Sequence, residues 1–442
     1  MKSIDSVIRV LENGFITQKE IQKITQLSQA TVSRCLKKLS QSLLVLPDSS
    51  PRKYALPDPG ISPNHYDLDE IDEHGKQSVL GSVYAITGGE FFVTLTQGTS
   101  KLFLGQSKDG LYDGLPFFLD DMRPQGFLGQ QVAKQLSAVN KYYPSKLSLW
   151  NSNHILKYLS EYGDELPGNL IFGDGLVTPI REIVSPINTE SYDFICRQIK
   201  EGTVPKSSAG GEQQKFTAFN KEMNADVIVK YTSNENDAVT RRWKDILVTE
   251  FHALKILADI KTPAAEVRLL DQNSRFYLET KRFDRLGLFG RRSMFSLLSI
   301  DMEYIGFGEN WYQIANELFK LNLLSETDRN YVSILWHFSQ LIANTDAHLG
   351  NISFGIKDES FTLLPIYDMC TMAIAPKLNS LDSIAFTLPS VDILNIGEDF
   401  KETIVKAAIE FWQKVGDDAR ISNEFQVYLN KYNPVKILKA QL

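Results

Sequence analysis

The residues best suited to chemistry stand in one short stretch, LIANTDAHLGNISF, at positions 341–354. Asp346 and Asn351 are five positions apart in this stretch, and Asp368 follows two strand-like pieces further along the chain. Transfer of a phosphoryl group needs a carboxylate that accepts a hydroxyl proton and oxygen ligands that hold magnesium. The pattern therefore makes Asp346 the candidate base, and it makes Asn351 and Asp368 the candidate metal ligands.

The spacing of these residues is the one that protein kinases use. The kinase catalytic loop also separates its Asp and Asn by five positions, and a second Asp returns to the metal from an Asp-Phe-Gly motif. That motif is Asp368-Met369-Cys370 here, so only the aspartate is kept. Two alternatives stay open: a purely structural set of capping and turn residues, and a metal-dependent nuclease that uses Asp346, His348 and Asp368.

Two further features are suited to the phosphates of a nucleotide. The run from Ser207 to Gly211 consists of small residues, whose backbone N–H groups can bind an anion. It does not match the P-loop pattern GxxxxGK[ST], and a plain hairpin would explain a Gly-Gly pair by itself. Lys230 ends a predicted strand over 226–230, and Glu250 lies on a predicted helix over 243–257, from which it can pair with that lysine.

A basic module precedes an acidic body. Residues 1–57 contain nine Lys and Arg and four Asp and Glu, a net charge of +5, whereas the remaining residues contain 38 and 50, a net charge of −12. Apolar spacing predicts a first helix over 4–11. Thr17 with Glu20 is expected to cap a second helix and Ser28 a third, and a hairpin is predicted within 43–56.

The third helix of this N-terminal module (residues 1–57) carries polar groups followed by cations, as a helix in a DNA major groove does. TQKEIQKITQLSQATVSRCLKKL resembles a winged helix-turn-helix of bacterial regulators, and Arg52 and Lys53 stand where a wing contacts phosphate. The alternative is a three-helix interaction module with solvated cations. The predicted DNA contacts are Gln29, Thr31, Ser33, Arg34, Lys37, Lys38, Arg52 and Lys53.

A linker and a β-rich part follow the module. The Pro-rich segment that begins at Pro57 predicts a linker over 58–79, and period-two patterns predict a β-rich subdomain over 80–165, in which SKLFLGQ is a strand. Three cysteines without a CxxC pair argue against a disulfide scaffold or a thiolate zinc site and fit a reducing cytoplasm. We find no apolar run long enough to span a bilayer.

In chain order, the segments SSAGGEQQKF, VIVK, KRFDR, TDAHLGN and PIYD resemble the HipA family of bacterial serine/threonine kinases, the toxins of HipA–HipB toxin–antitoxin systems. The similarity covers roughly residues 80–430. It implies an α+β, two-lobed, protein-kinase-like fold, with a β-rich N-lobe and a mostly helical C-lobe, preceded here by a small winged helix-turn-helix domain. We expect the kinase N-lobe over 166–285 and the helical C-lobe over 286–442.

The resemblance also implies roles for single residues. Asp346 is then the catalytic base, Asn351 and Asp368 hold magnesium, and Ser208, or Ser207 beside it, is the site of autophosphorylation. Gln214 departs from the family pattern, which has Pro or Glu before its lysine. The nucleotide-binding residues that the resemblance implies are Ala209, Gly210, Gly211, Glu212, Gln213, Gln214, Lys215, Lys230, Lys281, Arg282, Phe283 and His348.

The fused N-terminal module is typical of the YjjJ (HipH) subgroup of that family. We expect an enzyme of the bacterial cytoplasm that uses ATP and Mg²⁺ to phosphorylate a protein hydroxyl. The expected partners are a protein substrate, DNA through residues 1–57, and a HipB-like antitoxin, with no membrane. The alternative is a transcriptional regulator in which the kinase-like body senses a ligand or docks a partner.

Overall fold

The computed structural model describes residues 2–47, 49–163, 166–173, 187–200, 213–308, 310–376, 382–394 and 396–442. The chain forms two compact units, residues 1–125 with 132–179, and residues 126–131 with 180–442. Helices and antiparallel sheets occur in both units, so the expected α+β class is confirmed.

The helices and the hairpin predicted within residues 1–57 are present. Thr17 and Glu20 cap the second helix reciprocally: the Glu20 carboxylate accepts the Thr17 N–H at 2.9 Å, and the Thr17 hydroxyl accepts the Glu20 N–H. Ser28 caps the third helix through the N–H of Thr31. The elements are α1 (Lys2–Leu11), β1 (Ile16–Thr17), α2 (Gln18–Thr25), α3 (Gln29–Lys38), β2 (Leu44–Val45) and β3 (Lys53–Ala55).

A five-stranded antiparallel sheet follows the N-terminal module. Its strands are β4 (His65–Ile71), β5 (Gln77–Ala85), β6 (Phe91–Leu95), β7 (Leu111–Tyr112) and β8 (Leu170–Phe172). They lie in the order β7-β6-β5-β4-β8. The helices of this part of the chain are α4 (Phe117–Asp120), α5 (Gly126–Val139) and α6 (Ser152–Tyr162).

The predicted linker is wrong in part, because β4 and the start of β5 lie within residues 58–79. Tyr66 and Leu68 are buried on one face of β4, while Asp67 between them is exposed. The many acidic residues of this segment suggest a solvated linker, but in β4 Asp67 is exposed, and Asp69 and Glu70 are half-buried. The sheet also takes in β8, although the sequence places residue 166 onward in the kinase N-lobe.

The predicted strand SKLFLGQ is also wrong. Residues Lys101–Leu104 form a 3₁₀ helix whose first N–H groups are capped by Ser100. The consecutive residues Leu102 and Phe103 are both buried there. A strand sends consecutive side chains to opposite faces, so it could not bury both in one core.

The N-terminal module packs against the sheet through its hairpin. The ring of Phe15 meets the ring of Phe92 edge to face, with 4.9 Å between centroids. The N–H of Asp58 donates to the carbonyl of Ala85 at 2.9 Å and thereby joins the end of the module to β5. The inner side of the hairpin is therefore covered. The residues buried in this interface are Leu44, Leu46, Ala55, Ile86 and Phe92.

In the second unit, α7 (Tyr192–Lys200) precedes a four-stranded antiparallel sheet. Its strands are β9 (Lys215–Asn220), β10 (Ala225–Tyr231), β11 (Val267–Gln272) and β12 (Arg275–Lys281), in the order β11-β12-β10-β9. The long helix α8 (Ala238–Asp259) stands between β10 and β11 in the chain. Tyr192 of α7 packs with Val227, Val229 and Tyr277 of the sheet in one apolar core.

The remaining residues are mostly helical. Strands β13 (Arg285–Leu286) and β14 (Gly290–Arg291) form a hairpin, and β15 (Phe295–Ser296), β16 (Ser353–Lys357) and β17 (Ser360–Leu363) form a small sheet. The Trp412 indole N–H donates to the carbonyl of Leu341 at 2.9 Å in the core. The helices are α9 (Leu297–Tyr304), α10 (Trp311–Lys320), α11 (Glu326–Leu341), α12 (Glu398–Asp417), α13 (Asn423–Tyr432) and α14 (Pro434–Lys439).

Replacement of Phe92 by alanine tests the packing of the module on the sheet. Phe92→Ala leaves a cavity under the hairpin, and we expect it to lower the free energy of unfolding of this unit by about 3–5 kcal/mol. Hydrogen exchange of peptides from residues 1–57 in increasing urea measures the effect. Val79→Ala, at a side chain of β5 that is 55% exposed, is the control. Equal exchange in the two variants would contradict the interface.

Candidate active site

A buried ion pair joins the central sheet of the second unit to α8. Lys230 is on β10, and its ammonium lies 2.6 Å from both carboxylate oxygens of Glu250 on α8. The two residues are only 7% and 1% exposed. Charges this deeply buried need close partners of opposite sign. The pair that the sequence predicts is confirmed.

The same ammonium also donates to the carboxylate of Asp368, which follows β17 in the chain. Burial by itself would raise the pKa of Asp368, but the Lys230 ammonium, with Lys215 and His348, outweighs it and holds that pKa below its ordinary value. Burial raises the pKa of Glu250, against the opposing effect of Lys230. Burial favours a lower pKa for Lys230, but the carboxylates of Asp368 and Glu250 raise it above the usual range. The lysine therefore stays charged between two carboxyl groups.

The loop after α11 carries Asp346 on an ordered backbone. The carbonyl of Asp346 accepts the N–H of His348 at 2.8 Å and the side-chain amide of Asn351 at 2.7 Å. The Trp311 indole donates to the carbonyl of His348 at 2.9 Å and ties the loop to α10. The side chain of Asp346 is exposed, so a hydroxyl group from outside the chain can reach it.

Asn351 and Asp368 provide oxygen atoms that suit magnesium. The side-chain amide nitrogen of Asn351 donates a hydrogen bond to the carbonyl of Asp346. The side-chain oxygen of Asn351 is therefore the atom that can serve as a metal ligand. Asp368 uses one oxygen for Lys230, and its side chain remains 30% exposed. Magnesium is commonly held by one or two such groups together with phosphates and water. The carboxylate of Asp368 and the amide oxygen of Asn351 match the small number of protein ligands that such a magnesium site uses. The described residues contain no group of three or more His, Cys, Asp or Glu able to hold a metal ion.

Part of the predicted phosphate-binding segment lies next to Lys230. Lys215 is directly opposite Lys230 in the register of β9 and β10. The Gln214 carbonyl accepts the N–H of Tyr231 at 2.9 Å, and the Gln213 amide donates to the Tyr231 carbonyl at 2.8 Å. The end of the glycine-rich segment is thus fixed beside the lysine. Ser207, Ser208, Ala209, Gly210, Gly211 and Glu212 lie outside the described residues.

Three of the predicted nucleotide-binding residues, Lys281, Arg282 and Phe283, have different surroundings. The Lys281 ammonium is exposed and lies 3.4 Å from Glu266. The Arg282 guanidinium pairs with Asp284 at 2.7 Å. The ring of Phe283 lies 5.9 Å from that of Tyr367, the neighbour of Asp368. Of these three residues, Phe283 therefore has its ring beside the segment after β17 that leads to the candidate metal ligand Asp368.

Two residues that the sequence analysis does not single out support the site. Asn344 is buried, its amide nitrogen lies 3.4 Å from the carbonyl of Asp368, and its oxygen accepts the N–H of Asp346. Thr249, next to Glu250, accepts the N–H of Thr371 at 3.1 Å. The position of Asn344 inside the catalytic motif is a signal that could identify it. For Thr249 the sequence offers only its place beside Glu250.

Helix α8 is fixed to the C-terminal part of the chain by buried polar groups. Arg242 donates to the carbonyls of Ile374 and Asp382 at 3.1 and 3.0 Å. The Asp245 carboxylate accepts the N–H and the hydroxyl of Ser422, the N-cap of α13, at 2.7 and 2.6 Å. Burial raises the pKa of Asp245 to about 6, against these hydrogen bonds. The N-terminal half of the helix that carries Glu250 is therefore fixed to the C-terminal part of the chain.

The residues predicted to contact DNA lie on the surface of the N-terminal module. Thr31 is half-buried, and its hydroxyl is 2.9 Å from the hydroxyl of Ser28, the cap of α3. Arg34 bends back to donate to the carbonyl of Ala30 at 3.2 Å. The other predicted residues are exposed: Gln29, Ser33, Arg34, Lys37, Lys38, Arg52 and Lys53.

The described residues include no helix that is both long enough and apolar enough to cross a membrane. Cys35, Cys196 and Cys370 are buried free thiols. Burial raises the pKa of Cys370, two residues after Asp368, well above its ordinary value, and the nearby Glu250 carboxylate adds to this effect. This thiol therefore packs under the site as a neutral group.

Two protein-family models and one curated relative match this chain. The model of the YjjJ-like toxin middle domain matches residues 62–180, and the model of the HipA-like C-terminal domain matches residues 207–424. The chain is 31% identical to "Toxin YjjJ" of Escherichia coli (strain K12), over 98% of this chain and 97% of that protein.

Comparison with solved structures finds a protein of similar fold. HipA of Shewanella oneidensis MR-1, determined in complex with HipB and its operator DNA, matches with a TM-score of 0.53 and 14% identity. The match covers 85% of this chain and 95% of that chain. The Helicobacter pylori proinflammatory kinase CtkA matches over 54% of this chain and 92% of its own, with 15% identity and a TM-score of 0.37, which is too low to carry an argument.

Removal of the lysine charge tests the buried cluster. Lys230→Met leaves Glu250 buried without its cation, and we expect the free energy of unfolding at pH 7 to fall by about 3–5 kcal/mol. The pKa of Glu250, already raised by burial, then rises further. A carboxyl group with a higher pKa in the folded state than in the unfolded state destabilises the fold at pH values where the unfolded state is ionised. This penalty shrinks as the pH falls and both states become protonated, so part of the loss is expected to disappear at pH 5. Urea unfolding at the two pH values measures this.

The matched control carries a second substitution. Lys230→Met with Glu250→Gln has no buried carboxylate at this position, so its stability relative to the wild type is expected to change much less between pH 5 and pH 7 than that of Lys230→Met. If Lys230→Met is as stable as the wild type at both pH values, Lys230 and Glu250 do not form the buried ion pair that the geometry indicates.

Proposed function

The chain belongs to the HipA family of toxins, in its YjjJ-like branch, and we propose that it is a serine/threonine-protein kinase dependent on ATP and Mg²⁺. The observation that carries the proposal is the cluster in which Lys230 contacts both Glu250 and Asp368. A strand lysine paired with a helix glutamate, close to a metal-binding aspartate, is the arrangement that phosphoryl transfer needs.

Each group of the site has a role in this proposal. The exposed carboxylate of Asp346 accepts the proton of the attacking hydroxyl. Lys230 and Lys215, opposite each other on neighbouring strands, bind phosphate oxygens of the nucleotide. Asn351 and Asp368 hold magnesium, which supplies positive charge at the phosphates. Because Asp346 lies at the surface, a hydroxyl carried on another protein can reach it, which supports a protein substrate.

We also propose that the chain phosphorylates itself at Ser208 or Ser207, as the family resemblance implies. Both serines lie outside the described residues. The proposal is supported by the contacts of the first described residues after them, Gln213 and Gln214. These two residues form hydrogen bonds with the backbone of Tyr231, the neighbour of Lys230. The segment that bears the serines is therefore joined directly to the strand that holds the phosphate-binding lysine.

A second proposed activity is binding of duplex DNA through the N-terminal module. Its support is the net charge of +5 on residues 1–57 in a chain of net charge −7, and the exposure of the cations on α3 and beside β3. The relative from Shewanella oneidensis was determined with HipB and operator DNA. A HipB-like antitoxin stays a prediction for this chain, and its own module offers a direct contact to DNA.

Intact-mass spectrometry after incubation with Mg²⁺ and ATP tests the kinase. We expect the wild type to gain one phosphoryl group at Ser207 or Ser208. In Asp346→Asn we expect the rate to fall by at least about 100-fold, since the general base is lost. Asp358→Asn is the matched control, because Asp358 is exposed in the turn between β16 and β17.

The test separates the two candidate activities. Phosphorylation by the wild type and Asp358→Asn, but not by Asp346→Asn, supports the kinase. If protein that carries no phosphate beforehand binds nucleotide and gains none, the kinase proposal fails, and the regulator with a sensing body becomes the better description.

Binding to a mixed-sequence duplex at several salt concentrations tests the DNA proposal. Neutralised phosphates release counterions, so we expect the affinity of the full chain to fall steeply with salt. Loss of two phosphate contacts in Arg34→Ala with Lys38→Ala is expected to lower the salt slope by about two. Lys76→Ala with Lys146→Ala, at two exposed lysines outside the module, is the control. Binding that does not depend on salt would refute the assignment.

A further inference from the structure

We propose that Thr249 is a positioning residue whose hydroxyl fixes the backbone that carries Asp368. With Glu250 beside it, one turn of α8 then sets both Lys230 and the candidate metal ligand. The inference rests on the proposed function for the role of Asp368, but the backbone contact itself can be measured without any activity.

The first observation is a hydrogen bond made entirely in the interior. The N–H of Thr371 donates to the hydroxyl oxygen of Thr249 at 3.1 Å, and neither residue has any exposed surface. The hydroxyl hydrogen of Thr249 is directed to the carbonyl of Ile246, at 2.8 Å, so its oxygen is available as an acceptor. A buried N–H that loses its acceptor is costly, so this bond restricts the backbone at Thr371.

The second observation is the backbone conformation of Asp368. Its φ angle is 55°, in the left-handed region that residues other than glycine seldom adopt. Such a conformation persists when the surrounding structure determines it from several sides. The Asn344 amide lies 3.4 Å from the Asp368 carbonyl on one side, and Thr249 holds the backbone three residues later on the other.

The consequence concerns the carboxylate rather than the global fold. If Thr249 no longer accepts the bond, Asp368 can relax towards an ordinary φ angle, and its carboxylate then turns away from Lys230. Nucleotide binding without metal depends mainly on the lysines and should change little. The requirement for magnesium should increase, because the ligand is no longer held in place.

Two substitutions of Thr249 test the inference. Thr249→Val keeps the shape of the side chain and removes the hydroxyl, whereas Thr249→Ser keeps the hydroxyl and removes a methyl group. Leu438→Ala, a truncation at a fully buried residue of α14, controls for a general loss of stability. The readouts are hydrogen exchange of the peptide spanning residues 368–373 and the Mg²⁺ concentration that gives half-maximal binding of ATP.

We expect faster exchange in this peptide and about a tenfold higher Mg²⁺ requirement in Thr249→Val, with ATP binding in EDTA unchanged. Thr249→Ser should behave as the wild type, and Leu438→Ala should change neither readout. Wild-type values in Thr249→Val would overturn the inference, as would equal changes in Leu438→Ala.

Failure of the proposed function has a different signature. If ATP binding by the wild type does not depend on Mg²⁺, the proposed kinase is the claim that fails. Exchange at residues 368–373 then still decides whether Thr249 fixes this backbone.

Discussion

One buried ammonium group organises the second unit of this protein. Lys230, on the central strand pair, must be neutralised in the interior, and the two carboxyl groups that do so come from α8 and from the segment after β17. Residues 230, 250 and 368 are far apart in the chain, so their meeting requires the sheet, the helix and the segment after β17 to take one relative arrangement. The candidate active site is thus a direct consequence of compensating one charge.

Helix α8 transmits this constraint to the rest of the unit. Its Glu250 faces the lysine, its Thr249 faces the segment after Asp368, and its Asp245 accepts two hydrogen bonds from the cap of α13. Arg242 adds bonds to the carbonyls of Ile374 and Asp382. A helix held at so many points has little freedom to swing.

In the first unit, apolar packing holds the N-terminal module against the five-stranded sheet. The inner side of the hairpin of the N-terminal module is buried against Ile86 and Phe92, so the module and the sheet share one core. Its exposed cations on α3 and at Arg52 and Lys53 lie outside this interface. The proposed contact with DNA therefore uses the outer surface of a module whose inner side shares a core with the five-stranded sheet.

The sequence by itself determined the features that depend on neighbours in the chain. The caps at Thr17 and Ser28, the strand that ends near Lys230, and the Asp346–Asn351 spacing follow from local geometry and from the chemistry each residue type allows. Tertiary structure decided the rest: that the acidic segment at 65–71 is a strand, that 101–104 is helical, and that β8 joins the first sheet. It also decided that Asn344 and Thr249 hold the backbone around Asp368. These outcomes depend on partners distant in sequence, whose burial and hydrogen bonds leave no periodic signal in the chain.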